Sequence, residues 1–461
     1  MTCLELDVNV WAVRQFGDCE LGDVRRTRRL VTFAAQVAAD PDASTPQQSE
    51  GWADCRAAYR LLDQQEVTFE AVVTPHWQQT RARQGGRWLV IGDTTTIDFG
   101  AQRNVAGLSA VGNGGGRGFL LHSGLMIDAE SEAIVGLAGG VIHYRQPVPK
   151  GESFRQRLAR DRESRVWGQV IQQVGPPAEG TQFIHLFDRG ADNFEVYCHL
   201  LLNRGDWVVR AAQLKRRVQV SGEQTRMKDY LGSLPLAGTY DLHLRSTQKQ
   251  PARIAHLEVR FGNFLMPKPR DAGKFVKECG IAVIGMNVVE VREVDAPPGV
   301  QPLHWVLYTS LPIHTFEDAW QAIAYYEKRP LIEEFHKAIK TGCRLEQRQY
   351  RTTPRLEAVT GVLCVAAVRL LQLRAVARSE PQRPAEHVVP KRWVKVLGSV
   401  RRRGKPIRTV RDFFRALAQL GGFLGRKCDG EPGWITLWRG FEKLQLILRG
   451  TECYAYKCGK C

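Results

Sequence analysis

The chain has 461 residues, of which 43% are hydrophobic and 25% charged, and it carries 65 Lys and Arg against 48 Asp and Glu. This composition excludes wholesale disorder, and the length predicts two or three domains. The best apolar run, residues 361–373, contains Arg369 and is shorter than a membrane span, and the N-terminus lacks a signal-peptide pattern. We therefore expect a cytoplasmic protein without a membrane partner, whose net charge of +17 favours nucleic acid as its partner.

The first 66 residues predict a small helical module that is acidic overall. They hold 7 basic and 11 acidic residues, a net charge of −4, yet four arginines lie in one short run. Apolar residues from Val24 to Val37 recur at helical spacing, which predicts one helix with the arginines on its opposite face. A second helix is predicted from Asp54 to Leu62. The arginine face is either a solvated surface or, as we prefer, a DNA contact made by Arg25, Arg26, Arg28 and Arg29.

From about Arg87 the spacing of the apolar residues changes from that typical of a helix to that typical of strands. The segment RWLVIGDTTTIDF predicts a buried strand that ends at Asp93, and QFIHLFD predicts another that ends at Asp188. Between them we expect a glycine-rich turn at 112–118, two strands that complete an antiparallel meander, and a helix over 155–173.

In the second half of the chain, predicted strands and helices continue to follow one another. A helix over 193–202 and the strand DWVVR precede a β-rich stretch over 239–311. Thr315 and Asp318 form a predicted capping box, which opens a helical segment that stops at Gly342.

The end of the chain is strongly basic. Residues 375–390 have the composition of a linker, and the last 71 residues hold 17 basic and 5 acidic residues. A final helix is predicted with an apolar face formed by Trp434, Leu437, Phe441, Leu444 and Leu448. A Cys₄ zinc site is an alternative that we disfavour at a frayed terminus; its ligands would be Cys428, Cys453, Cys458 and Cys461.

Three acids carry the predicted chemistry. Asp93 and Asp188 follow buried strands, and Glu333 lies on a helix after the β-rich stretch. Carboxylates suit Mg²⁺, and two such ions about 4 Å apart can activate an attacking oxygen and stabilise a leaving oxygen during phosphoryl transfer. The residues alone also allow a structural interpretation, in which the two aspartates cap turns.

A spaced motif surrounds the third acid. Tyr326, Arg329, Glu333 and Lys340 follow the pattern Y-x-x-R-x-x-x-E-x-x-x-x-x-x-K, whose offsets place them near one helical face. Five further segments of the chain belong with this motif: IGDTTTIDF, HLFDRGADNFEVY, RPLIEEFHKAIKTGCRLE, LGDVRRTRRLVTFAAQVA and SEGWADCRAAYRLL. Together they resemble the DDE transposases of the insertion sequence four family.

The resemblance implies a fold and a domain order. The fold class is α/β, with an RNase H-like catalytic core that is interrupted by a β-rich insertion at about 225–312. The implied domains are a DNA-end-binding domain at 1–66, the catalytic domain at 67–374, and a linker with a helical dimerisation and DNA-contact domain at 375–461. The last apolar helix could pack into its own domain, but the resemblance implies a dimer, so we favour pairing of the C-terminal helices between two protomers.

The resemblance also implies an activity. The protein would bind transposon ends, cleave them through a hairpin intermediate and join the 3′-OH ends to target DNA. Two Mg²⁺ ions, for which Mn²⁺ is expected to substitute, would be held by Asp93, Asp188 and Glu333. Its partners would be double-stranded DNA and a second copy of the chain, in a bacterial, nucleoid-associated setting. The other implied DNA contacts are Tyr326, Arg329, Lys340, Arg210, Lys337 and Trp305, the last stacking on a flipped base.

The sequence departs from the family pattern at one position, and it allows two alternative functions. Pro330 stands where relatives carry Trp, and proline disfavours helical geometry in the residue before it, so Arg329 is expected on a kink or a separate helix. A metal-dependent nuclease on the same core would cut without joining. A non-catalytic regulator of transposition would bind DNA without cutting.

Overall fold

The protein is built on one large mixed sheet. A computed structural model describes residues 7–153, 156–157, 160, 162–244, 252–400, 406–426 and 429–458. The strands are β1 (Gly86–Asp98), β2 (Ser109–Val111), β3 (Gly116–Asp128), β4 (Ile134–His143), β5 (Thr181–Phe187), β6 (Asp206–Arg210), β7 (Arg217–Val220), β8 (Glu223–Arg226), β9 (Gly238–Leu244), β10 (Arg253–Pro267), β11 (Val283–Val294) and β12 (His304–Thr309).

Helices cover both faces of this sheet and form the two ends of the chain. They are α1 (Val8–Phe16), α2 (Val24–Ala39), α3 (Thr45–Gln48), α4 (Trp52–Leu62), α5 (Phe69–Arg81), α6 (Val166–Val174), α7 (Phe194–Leu202), α8 (Met227–Ser233), α9 (Lys274–Glu278), α10 (Phe316–Tyr326), α11 (Leu331–Lys337), α12 (Thr353–Ser379), α13 (Lys391–Val400), α14 (Val410–Leu420) and α15 (Trp434–Cys458). A π-helical turn, Ala338–Gly342, follows α11 directly.

The strand order identifies the core of the fold. Five strands lie in the order β4-β3-β1-β5-β6, in which the first three are antiparallel and β1, β5 and β6 are parallel. Helices α6 and α7 connect β4 to β5 and β5 to β6. This order is that of an RNase H-like core, so the predicted fold class is confirmed.

The β-rich insertion extends the same sheet. β12 pairs antiparallel with β6, and β11, β10, β7 and β8 continue outward from it. The first of these strands begins at Arg217, before the predicted start near residue 225. The insertion therefore widens the sheet beside the parallel strands.

A long apolar helix runs through the core. The stretch Thr353–Val376 of α12 is long and apolar enough to cross a membrane, but 89% of its most apolar window is buried inside the fold. α12 packs against α5 and β4. Its apolar character is therefore explained by the interior of this protein.

Two expectations for the C-terminal part are wrong. The predicted linker at 375–390 is not a free connection, because α12 continues to Ser379 and three apolar side chains after it are buried: Ala385, Val388 and Val389. The apolar face of α15 is covered within its own chain. It packs on α13 and α14 of its own chain, with the rings of Trp393 and Phe441 at 5.2 Å, and its buried members are Leu437, Phe441, Leu444 and Leu448.

Some predictions fall outside the described residues. The helix expected over 155–173 is described as α6 from Val166, and residues 154–155, 158–159 and 161 are not described. The side chains of Trp434 and of the four cysteines proposed as zinc ligands, Cys428, Cys453, Cys458 and Cys461, also lie outside the described part.

Candidate active site

The first two acids are aligned by the parallel pair β1 and β5. The last paired residues of this ladder are Ile91 and Leu186, so Asp93 and Asp188 each stand two residues beyond it. Asp188 follows the end of its strand, as predicted. Asp93 does not: β1 continues to Asp98, because its polar β-branched residues stay paired with β3. The edge at Asp93 arises where β5 leaves the sheet, not where β1 ends.

The third acid is placed by a break between two helices. The predicted capping box is present, since the Thr315 hydroxyl accepts from the backbone N–H of Asp318 at 3.2 Å and opens α10. α10 ends at Tyr326, Pro330 caps α11, and Glu333 lies in the first turn of α11. The helix break predicted from Pro330 is therefore confirmed.

Arg329, in the turn between these helices, contacts all three acids. Its guanidinium donates to Asp93 Oδ2 at 2.8 Å and to Glu333 Oε1 at 2.9 Å. The nitrogen that bonds Asp93 also lies 3.7 Å from Asp188 Oδ2. Three acids that are distant in sequence thus converge on one cation.

The three carboxylates outnumber the positive charge between them. Burial raises the pKa of Asp93 to about 6, although the neighbouring Arg329 opposes this rise. Within the described part of the chain, no three acidic, His or Cys side chains are close enough to hold a metal ion as they stand. At this edge the guanidinium separates the carboxylates. Their oxygens are nevertheless the ligands that Mg²⁺ prefers, and the space between them already accommodates a cation.

A second group of predicted residues extends from Arg329 along the sheet edge. Tyr326 lies near Arg210 at the end of β6, and burial raises the pKa of the tyrosine. Arg210 donates to the carbonyl of His304 at 3.2 Å, which is the residue before Trp305. Trp305 itself is half-buried on β12. The structure therefore brings Arg210, Tyr326 and Arg329 together, with Trp305 beside them.

Lys340 lies apart from the acids. The four motif residues do not share one helical face, because the helix is broken at Pro330 and Lys340 lies in the π-helical turn. Its ammonium group is 3.5 Å from Glu346, which accepts a hydrogen bond from the backbone of Asp98 at the end of β1. Lys337 is exposed on α11.

The arginine run occupies α2, as predicted, but three of its members have internal partners. Arg25 pairs with Asp23 at 2.8 Å, Arg26 pairs with Glu66 at 2.8 Å, and Arg29 pairs with Asp54. Arg28 is exposed, and among the described residues it forms no ion pair. It is the member of the run best placed for an external anion.

Three residues near these surfaces were not predicted. Arg189 follows Asp188 directly in the sequence. Burial lowers the pKa of Arg210, and the positive charge of Arg189 lowers it further. Arg374 on α12 pairs with Glu334, the neighbour of Glu333, at 2.5 Å. Trp52 is 76% exposed at the start of α4. Arg189 was detectable from its position beside an acid, whereas helical periodicity places Trp52 on the buried face with Cys55 and gives no signal of its exposure.

Comparison with protein families matches both ends of the chain. Residues 8–67 match the model described as Transposase DNA-binding. Residues 365–459 match the model described as Transposase Tn5 dimerisation domain. The first match covers α1 to α4, and the second begins within α12 and runs into α15.

Proposed function

Because the chain is a DNA-binding, dimer-forming transposase of the insertion sequence four family, similar to transposon five transposase, we propose that it moves DNA by a cut-and-paste reaction. In this reaction water cleaves the transposon end and frees a 3′-OH. The hydroxyl attacks the opposite strand to form a hairpin, a second water opens the hairpin, and the 3′-OH then joins target DNA.

The convergence of Asp93, Asp188 and Glu333 on Arg329 is the observation that carries this proposal. One guanidinium leaves two of three negative charges uncompensated. We place the reacting DNA phosphate at this edge of the sheet. We assign the three carboxylates as ligands of Mg²⁺, or of Mn²⁺ in its place. When bound, two such ions would supply activation of the attacking oxygen and stabilisation of the leaving oxygen.

The cationic and aromatic residues beside the acids would hold the DNA. Once Arg329 no longer neutralises the carboxylates, its planar fork of donors suits a phosphate. Arg210 and Tyr326 extend this surface toward Trp305. Stacking of an unpaired base on Trp305 would offset part of the cost of distorting the end for hairpin formation.

The homodimer would bring two transposon ends together. Since the apolar face of α15 is buried within its own chain, the contact between protomers must use other surfaces of residues 365–459. Leu446, which is 63% exposed on α15, lies on one such surface.

A joining assay tests the proposal. Purified protein is incubated in Mg²⁺ with a duplex that carries a terminal repeat flanking its gene, and with a supercoiled plasmid as target. We expect nicked ends, hairpins and plasmid molecules joined to the duplex. Cleavage without any joined product would instead identify a nuclease, and binding without cleavage would identify a regulator.

A further inference from the structure

An arginine-lined cavity opens beside the proposed active site. It has a volume of about 330 Å³ and lies between the end of β4 and the segment that precedes α6. Its charged lining consists of Arg145, Arg157, Arg160, Arg162 and Glu163. None of these residues belongs to the acid site.

The register of the sheet places this cavity at the same edge as the acids. His143, which also lines the cavity, pairs with Leu120 of β3, and Leu120 pairs with Thr96 of β1. Thr96 is three residues beyond Asp93 on the same strand. With strands about 4.8 Å apart and a rise of about 3.3 Å per residue, the backbones of His143 and Asp93 are about 14 Å apart. A DNA duplex covers that distance in about four base pairs.

Two arginines of the cavity retain binding capacity. Arg145 and Arg160 pair with Glu163 and Glu152, at 3.1 and 2.7 Å. Arg157 is exposed and forms no ion pair within the described part of the chain.

Arg162 is the second of these arginines. It reaches Glu195 only at 3.7 Å, and its Nε atom is buried without a hydrogen-bond acceptor among the described residues. Among the described residues these two guanidinium groups have at most one ion pair, at 3.7 Å, and they line a concave surface. Such groups favour an anion, and phosphate oxygens match their donor geometry.

We propose that this cavity binds a phosphate of the DNA backbone, a few base pairs from the reacting phosphate, through Arg157 and Arg162. The inference rests on the proposed function, since it assumes that DNA crosses the acid edge of the sheet. The contact is independent of base sequence, because phosphates carry no sequence information directly. The DNA is either the transposon end with its flank or the target, and both present the same group.

The test measures the salt dependence of DNA binding by the full-length protein. One labelled probe is a 30-bp duplex of arbitrary sequence, and the other carries a terminal repeat that flanks the gene. We expect the double variant R157Q/R162Q to bind the arbitrary duplex about tenfold more weakly at about 0.1 M KCl, with the slope of log K against log salt reduced by about one, because one phosphate contact is lost. The single variant R157Q, at an exposed position, should reduce the slope by a smaller amount.

Two matched variants serve as controls. R157K/R162K keeps the charges and should keep most of the slope. R270Q removes an exposed arginine between β10 and α9, at the edge of the sheet opposite the acids, and should bind like the wild type. Thermal melting checks that each variant is folded.

The outcomes separate the two proposals. Wild-type slope and affinity in both R157Q and R157Q/R162Q would overturn the phosphate site and leave the transposase proposal intact. A wild-type protein that binds neither duplex would overturn the proposed function itself. Loss on the arbitrary duplex alone would assign the cavity to target DNA, and equal loss on both probes would assign it to the transposon end as well.

Discussion

Arginines meet acids in two regions of this molecule, and the ratio of the two charges differs between them. On α2, three arginines each have a carboxylate of their own, provided by Asp23, Glu66 and Asp54. At the acid edge of the sheet, Arg329 alone is shared by three carboxylates. Each ion pair of the first region is neutral by itself, whereas the three carboxylates of the second region exceed their one arginine by two negative charges.

The difference shows that the number of arginines in a region does not predict which external ions that region binds. On α2, ion pairs with the module itself occupy most of the run, so Arg28 is left as its main external contact. At the sheet edge positive charge is in short supply, and carboxylate oxygens are available as metal ligands. Both features favour divalent cations.

The largest effect is expected from neutralising an acid at the sheet edge. Asp93→Asn or Glu333→Gln should reduce cleavage in Mg²⁺ by roughly 10³-fold or more, about 4 kcal/mol, because a ligand of the ions is lost. Binding to the transposon end should remain, since the N-terminal module is unchanged. Gel assays of nicking measure the effect, with Glu327→Gln, an exposed acid beside the same turn, as the control. Normal nicking by either variant would remove the metal assignment.

Burial of the Asp93 carboxylate should also make the stability of the metal-free protein depend on pH. The pKa of Asp93 is raised to about 6 in the folded protein, from 3.8. A raised acid pKa means that the folded state holds the proton more tightly, so this contribution is present below pH 4 and is lost as the pH rises through 6. Asp93→Asn should therefore be more stable than the wild type at pH 7 by up to about 3 kcal/mol.

Urea unfolding in EDTA at several pH values measures this difference. The advantage of Asp93→Asn should shrink as the pH falls toward 4. A variant that is less stable than the wild type at pH 7 would show that the contact with Arg329 outweighs the cost of burying the charge.

The α2 region predicts a separation of stability from DNA binding. Arg29→Ala should lower the free energy of unfolding by about 2 kcal/mol, because it leaves the half-buried Asp54 without its charged partner. Arg28→Ala should leave stability unchanged and reduce the salt slope of DNA binding by about one. Thermal melting and salt-dependent binding distinguish the two variants. Equal effects of both variants in both assays would contradict the division between internal and external arginines.

The smallest effect is expected at Trp305. Trp305→Ala should leave the first nick unchanged and reduce the hairpin yield about tenfold, since a stacked base is worth about 1–3 kcal/mol. Trp320→Ala, at an exposed position on α10, is the matched control. Timed gels that resolve nicked and hairpin products provide the measurement, and an unchanged hairpin yield would defeat the stacking role.

Local signals in the sequence predicted much of the fold. The capping box at Thr315, the strand before Asp188 and the helix break at Pro330 depend on neighbouring residues, and all three are present. The end of β1 was misjudged because its continuation depends on pairing with β3, a contact between residues distant in sequence.

The site was only partly predictable for the same reason. Spacing placed Arg329 near Glu333, but its contacts with Asp93 and Asp188 depend on where β5 leaves the sheet. The apolar face of α15 was correctly identified as a packing surface. Periodicity does not say which surface covers it, and here that surface belongs to the same chain.

The most direct test of the account is the binding of Mn²⁺ to the DNA-free protein, followed by electron paramagnetic resonance. We expect weaker binding in Asp93→Asn, Asp188→Asn and Glu333→Gln than in the wild type. We expect tighter binding in Arg329→Gln, because removal of the internal cation leaves all three carboxylates to the metal. Unchanged affinity in the acid variants, or weaker binding in Arg329→Gln, would contradict the claim that this edge of the sheet is a metal site held by one arginine.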